Sequence, residues 1–142
     1  MTDLRYDDGE QFHSPSSFVR TLRSRRTGKL GWVGYISPVP PQGNPPRHPL
    51  VIAEIDEEHH GLRRHTVATI DDFDPAAAPE PNLTELQLAN FAMLGNRKTN
   101  DFGILTTRYW RPTDRNAWLG GVYRYVLSLT DQAEHKARRS GD

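Results

Sequence analysis

The spacing of apolar positions changes several times along this 142-residue chain, and each change marks an expected element. Leu30 to Ile36, Leu-Gly-Trp-Val-Gly-Tyr-Ile, is rich in aromatic and β-branched residues and predicts a strand; Gly31 and Gly34 suggest a bulge or a close backbone approach. Leu50 to Asp56 and Leu62 to Ile70 read as the arms of a hairpin around Glu57-Glu58-His59-His60-Gly61. Phe102 to Trp110 reads as another strand. Helical spacing appears elsewhere. Phe18, Val19 and Leu22 form a short stripe behind Ser14-Pro15-Ser16-Ser17, where Ser14 suits an N-cap, Pro15 the first helical position, and Gly28 a stop. Leu83, Leu86, Leu88, Phe91 and Leu94 give a broad apolar face between a cap at Asn82 or Thr84 and a terminator at Gly95. The last segment satisfies both periods. Trp118, Val122, Tyr125 and Leu129 share a helical face, while Tyr123, Tyr125, Leu127 and Leu129 alternate with Val122, Arg124, Val126 and Ser128. Gly120-Gly121 weakens a helix by about 1 kcal/mol per glycine; the helix-favouring run Asp131 to Arg139 tips the reading towards a helix, with Trp118 in the core.

These elements predict an α+β fold. A single domain spans 1–142, with one antiparallel sheet of three to five strands and two or three helices on one face. Residues 1–11 read as a flexible or edge segment, and 140–142 as a frayed tail. The stretches 37–49 and 74–82 are proline-rich loops. No internal repeat is legible.

Composition narrows the function classes. The chain has no cysteine, which excludes a disulfide scaffold, a thiol nucleophile and a cysteine zinc site, and fits a reducing, cytoplasmic setting. Its polar, acidic start does not read as a signal peptide, and no stretch approaches the roughly 18 apolar residues of a membrane span. Net charge is zero, so the distribution of charge matters more than its sum. Arginine makes up 15 of the 18 basic residues, a choice that suits forked contacts to phosphate or carboxylate and also fits a GC-rich coding bias.

Three regions carry candidate chemistry. The first is Arg20, Arg23, Arg25, Arg26 and Lys29, ten positions without an acid, followed by Trp32 and Tyr35. Arginines fork onto phosphates, the expected helix start at Ser14–Ser17 offers free N–H groups, and an exposed Trp32 would stack on a base. The second is the hairpin tip with Glu54, Asp56, Glu57, Glu58, His59, His60 and, on the return arm, His65. Carboxylates and imidazoles ligate divalent metals, but strand alternation separates neighbours and no established ligand spacing is present, so a solvated tip is the reading and no cofactor is implied. The third is Tyr109-Trp110-Arg111, arginine among aromatics at the end of a strand, a make-up shared by protein and nucleic-acid interfaces. Asp71 and Asp72 read as a strand terminator. No nucleophile elbow, phosphate loop or dinucleotide fingerprint occurs.

Phe12-His13-Ser14-Pro15-Ser16-Ser17-Phe18-Val19-Arg20, followed by Gly28 and Gly31-Trp32, resembles the RAMA domain, a small module found beside restriction–modification adenine methylases. The resemblance covers residues 9–36 and departs from that family's pattern after Ile36. It implies a DNA-binding role, one sensitive to modified bases. The expectation is therefore a non-catalytic DNA-binding or DNA-associated protein. A protein-interaction module, accessory or inhibitory and of mobile-element type, is the alternative, and a metal-dependent enzyme the third.

Overall fold

A computed structural model describes residues 4–78 and 82–128. Nine strands account for nearly all regular structure: β1 (Arg20–Arg23), β2 (Leu30–Tyr35), β3 (Leu50–Asp56), β4 (Gly61–Leu62), β5 (Ala68–Asp71), β6 (Leu83–Leu88), β7 (Ala92–Gly95), β8 (Phe102–Pro112) and β9 (Leu119–Leu127). Two 3-10 turns, Arg64–Thr66 and Pro75–Ala77, are the helical residues among those described. The first sheet runs β1-β2-β3, with β4 and β5 sharing the far edge of β3; in the second, β6 and β7 share one edge of β8, and β9 takes the other. Every pairing within these sheets is antiparallel. No helix among the described residues is long and apolar enough to cross a membrane.

The α+β expectation is thus corrected to a two-sheet sandwich. Leu22, Val33, Tyr35, Leu50, Ile52 and Ile70 of the first sheet close on Leu83, Leu86, Leu88, Ile104, Trp110, Tyr125 and Leu127 of the second, with Phe91 between β6 and β7. The helix expected from Asn82 to Leu94 is β6, a three-residue break and β7. Leu86 and Leu88 point into the core while Glu85 and Gln87 lie nearer solvent, an alternation of period two. Burying each leucine contributes about 1.5–3 kcal/mol, more than the few tenths by which propensity favours a helix.

The helix expected over Ser14–Thr27 is also absent. Ser16 N–H bonds to Gly43 C=O (2.9 Å), and β1 pairs with β2 from Arg20↔Val33 to Arg23↔Leu30. Gly28, read as a helix stop, sits at φ +74° in the hairpin turn. The terminal helix is a strand as far as it is described: Gly120 and Gly121 lie under the Tyr109 and Tyr123 rings, where an added Cβ would come within 2.9 and 3.2 Å of ring carbons. The tail Asp131 to Arg139 lies outside the described residues.

The expected strand at 30–36 and the hairpin around residues 57–60 are present, although the return arm divides into β4 and β5. Gly34 marks a close approach, for its Cβ would fall 2.5 Å from the Trp32 ring. Residues 4–13 form an edge over the outer face of the first sheet. Bridges Arg5↔Gln11 and Tyr6↔Leu62 hold the segment, and Tyr6 and Phe12 pack in a second, smaller core with Trp32, Val51, Ala53 and Leu62.

Candidate nucleic-acid interface

The basic cluster lies on β1 and the turn that follows it. This turn, Ser24–Lys29, closes with Ser24 N–H on Lys29 C=O (2.9 Å) and Gly28 N–H on Ser24 C=O (2.8 Å), and Ser24 Oγ accepts from Thr27 N–H (3.2 Å). Lys29 N–H reaches Thr27 Oγ1 (3.3 Å). The β7–β8 turn, Asn96–Asp101, has the same construction. Asn96 N–H bonds to Asp101 C=O (2.8 Å), Asn100 N–H to Asn96 C=O (2.8 Å), Thr99 N–H to Asn96 Oδ1 (3.4 Å) and Asp101 N–H to Thr99 Oγ1 (3.3 Å). Gly28 at φ +74° has its counterpart in Asn100 at φ +59°, a conformation that glycine and asparagine tolerate best.

The sequences agree as closely as the geometry. Ser24-Arg25-Arg26-Thr27-Gly28 and Asn96-Arg97-Lys98-Thr99-Asn100 share the order small acceptor, arginine, base, threonine, left-handed residue, and Leu-Gly or Phe-Gly follows one position later. The chain therefore carries a short internal repeat that periodicity alone did not reveal. Its signal was the recurrence of Arg-basic-Thr between a small hydrogen-bonding residue and one that tolerates positive φ.

Stacking the sheets sets the two turns side by side, and Arg26 Nη2 donates to Thr99 C=O (2.7 Å) across the gap. A hollow of about 330 Å³ opens there, lined by Arg23, Arg25, Arg97, Asn96, Asn100 and Asp101 over Gly95 and Phe102. Arg23 is neutralised by Glu57 in a two-pronged pair (Nη1–Oε2 3.0 Å, Nη2–Oε1 2.6 Å) and also bonds to Gly28 C=O. Arg25 and Arg97 make no ion pair among the described residues. Asp101 is the hollow's acid. A hydrogen bond from Ser128 (2.7 Å), then Thr99 and the nearby Arg26 charge, hold its carboxyl below the usual carboxylate range, so it remains ionised.

The remaining expected site residues separate into three groups. Arg20 is exposed, its side chain donates to the adjacent Val19 C=O (3.3 Å), and its guanidinium lies 4.7 Å over the Phe18 ring. Lys29 is paired with Glu54 (2.9 Å). Trp32 is 6 % exposed beneath Phe12, so its expected base-stacking role is withdrawn: apolar strand neighbours and residues 4–13 cover it. The helix N-terminus expected to bind phosphate at Ser14–Ser17 does not exist. Trp110 is likewise core, 3 % exposed, whereas Tyr109 stands 39 % exposed and Arg111 pairs loosely with Glu85 (3.5 Å). Trp118, expected in the core, is exposed with Arg111 5.9 Å over its ring.

At the 57–60 tip, no three metal-ligating side chains converge among the described residues. The carboxylates are engaged otherwise: Glu54 with Lys29 and Arg63, Glu57 with Arg23, and Asp56 with His59 Nδ1 (3.0 Å) and the backbone N–H groups of Glu58 and His59. The hydrogen bond from His59 leads in pushing Asp56 down to about 2, and the same bond raises His59.

Asp71 is not a strand terminator facing solvent. It is 3 % exposed between the sheets, where Tyr125 Oη–H donates to Oδ2 and Arg108 Nε lies 3.3 Å from the same oxygen. The Arg108 guanidinium stands 5.2 Å from both the Trp110 and the Tyr123 rings. No family model matches this chain, and neither a curated protein nor a solved structure does.

Proposed function

We propose that this protein binds nucleic acid without catalysis, DNA being the favoured partner, and that the paired turns grip the phosphate backbone. One observation carries this reading. Two turns of the same construction, one from each sheet, bring Arg25 and Arg97, which make no ion pair among the described residues, into one hollow whose single acid is Asp101, and Arg26 bridges the two turns. Two guanidiniums on separate turns suit contacts to phosphates of a nucleic-acid backbone. Arg20 adds an exposed cation on the same edge strand, β1, on the face opposite Arg23. The resemblance of residues 9–36 to the RAMA domain points the same way, although its Ser-Pro-Ser segment opens no helix here.

Phosphate contacts release counterions, so affinity falls steeply with salt and each contact removed lowers the slope of log K against log salt by about one. Anisotropy of labelled duplex, titrated from low to physiological salt, should show this slope. Arg25→Ala with Arg97→Ala should flatten it by about two. No binding at low salt would overturn the proposal.

A second reading rests on the outer face of the second sheet, where Tyr109, Trp118 and Val122, 76 % exposed, stand beside Arg111. An accessory protein binding a protein partner through this face would associate with little response to salt.

A further inference from the structure

A second hollow, of about 520 Å³, lies where the segment before β1 meets the proline-rich loop and the break between β6 and β7. Ser16, Ser17, Phe18, Val19, Arg20, Asn44, Arg47 and Asn90 line it. It holds two guanidiniums, two amides and two hydroxyls, and no acid. The tertiary structure builds it deliberately from distant segments. Ser16 N–H bonds to Gly43 C=O (2.9 Å), Leu88 N–H bonds to Arg47 C=O (3.2 Å), and the next residue, Ala89, is held by Thr107 C=O (2.8 Å).

One atom of this lining, Arg47 Nε, is buried without a hydrogen-bond partner, while the Ser17 hydroxyl is turned to the buried Tyr35 phenol. Leaving such a group unpaired is costly, and beside an open hollow a polar ligand would satisfy it. At the rim Phe18 is an exposed aromatic ring, with the Arg20 guanidinium over it. Cations for an oxyanion, amides that both donate and accept, and an exposed ring are the three features that recognise an unpaired nucleotide.

We propose that this hollow receives one unpaired nucleotide of the bound nucleic acid, its phosphate on Arg20 and Arg47, its base against Phe18 and its polar edge on Asn44 and Asn90. The inference rests on the nucleic-acid reading above and deepens it. Arg20 borders this hollow and lies on β1, the strand that leads into the turn carrying Arg25. Backbone contacts at the paired turns are indifferent to strandedness; this hollow is not, because a base within a blunt duplex cannot enter it without being unpaired.

The test compares a labelled 12-nucleotide single strand with a blunt duplex of the same sequence, for the wild type, Phe18→Ala with Asn90→Ala, and Arg25→Ala with Arg97→Ala. The single strand should bind several-fold more tightly than the duplex. Losing one stacked base and its edge contact should weaken single-strand binding about tenfold and leave duplex binding unchanged. The turn variant should weaken both. Phe18 and Asn90 are exposed, and coincident melting curves would show that the fold is intact. Equal affinity for the two forms, unchanged by the Phe18 and Asn90 substitutions, would overturn this inference while sparing the paired turns. If neither form binds at low salt, the broader reading falls, and titration with a nucleoside 5′-monophosphate decides the hollow alone. Saturable NMR shifts at Ser17, Asn44, Arg47 and Asn90 would support it, and their absence would overturn it.

Discussion

Arg97 and Arg108 belong to one hairpin, yet they spend their charge in opposite ways. Arg108 points inward from β8, is 6 % exposed, and lies between aromatic rings against Asp71. Its Nε and Nη2 have no hydrogen-bond partner, so charge and ring stacking hold it rather than directed bonds. Arg97 stands in a solvated turn and makes no ion pair among the described residues, beside its structural counterpart Arg25. The contrast teaches where to look for function in an arginine-rich chain: the buried guanidinium is consumed by the fold, and the surface pair is left available for a ligand.

Breaking the buried side has the largest expected effect. Asp71→Ala would strand the Arg108 charge in the core and should cost about 3–5 kcal/mol in chemical denaturation. Replacing both members, Asp71→Leu with Arg108→Met, should recover much of that loss, since apolar groups of similar volume often substitute for a buried pair at little cost. A double variant no more stable than Asp71→Ala would show that the pair supplies packing that leucine and methionine cannot copy.

The link between the turns comes next. Arg26→Ala removes the bond to Thr99 C=O and should cost about 1 kcal/mol, with a measurable loss of nucleic-acid affinity as the turns separate. Arg25→Ala with Arg97→Ala should change stability by no more than about 0.5 kcal/mol while flattening the salt dependence, the reverse of the Asp71 result. A loss of stability comparable to that of Asp71→Ala would erase the distinction between the two arginine environments.

The smallest effect concerns a charge held part-way between these extremes. His59 titrates above its ordinary 6.5 because it bonds to Asp56, so its contribution is present below pH 6.5 and lost as pH rises through the raised value. Asp56 falls from 3.8 to about 2, so its contribution is present above pH 3.8 and lost as pH falls towards 2. Both are present between about pH 4 and 6.5. The stability difference between wild type and His59→Gln should therefore peak in that window and shrink on either side; a difference constant with pH would contradict the pairing.

The strands with strong β composition, Leu30–Tyr35, Leu50–Asp56 and Phe102–Pro112, were legible because aromatic and β-branched residues suit a pleated, buried surface; the first two are buried on both faces, and the third alternates. Leu83–Leu88 carried the same alternation, but the extra apolar residues Phe91 and Leu94 imitated a helical face. The arginine cluster was legible as charge. Its second half at Arg97 was not, because nothing local says that a turn far along the chain will lie beside Arg25. Arg47 was hidden in the same way among prolines. Asp71 was misread because a carboxylate at a strand end ordinarily meets water, and only Arg108 and Tyr125 make its burial tolerable.

By itself the sequence determined which segments can extend, where the chain must turn, and that its positive charge is mostly arginine. Those properties follow from side-chain shape, backbone freedom and charge, which each residue carries with it. Tertiary structure decided which alternating face is inside, that Trp32 and Trp110 are core while Trp118 is exposed, and that Ser24–Lys29 and Asn96–Asp101 stand together. These outcomes depend on which surfaces meet when two sheets exclude water between them, and that is a property of pairs of distant segments rather than of any one.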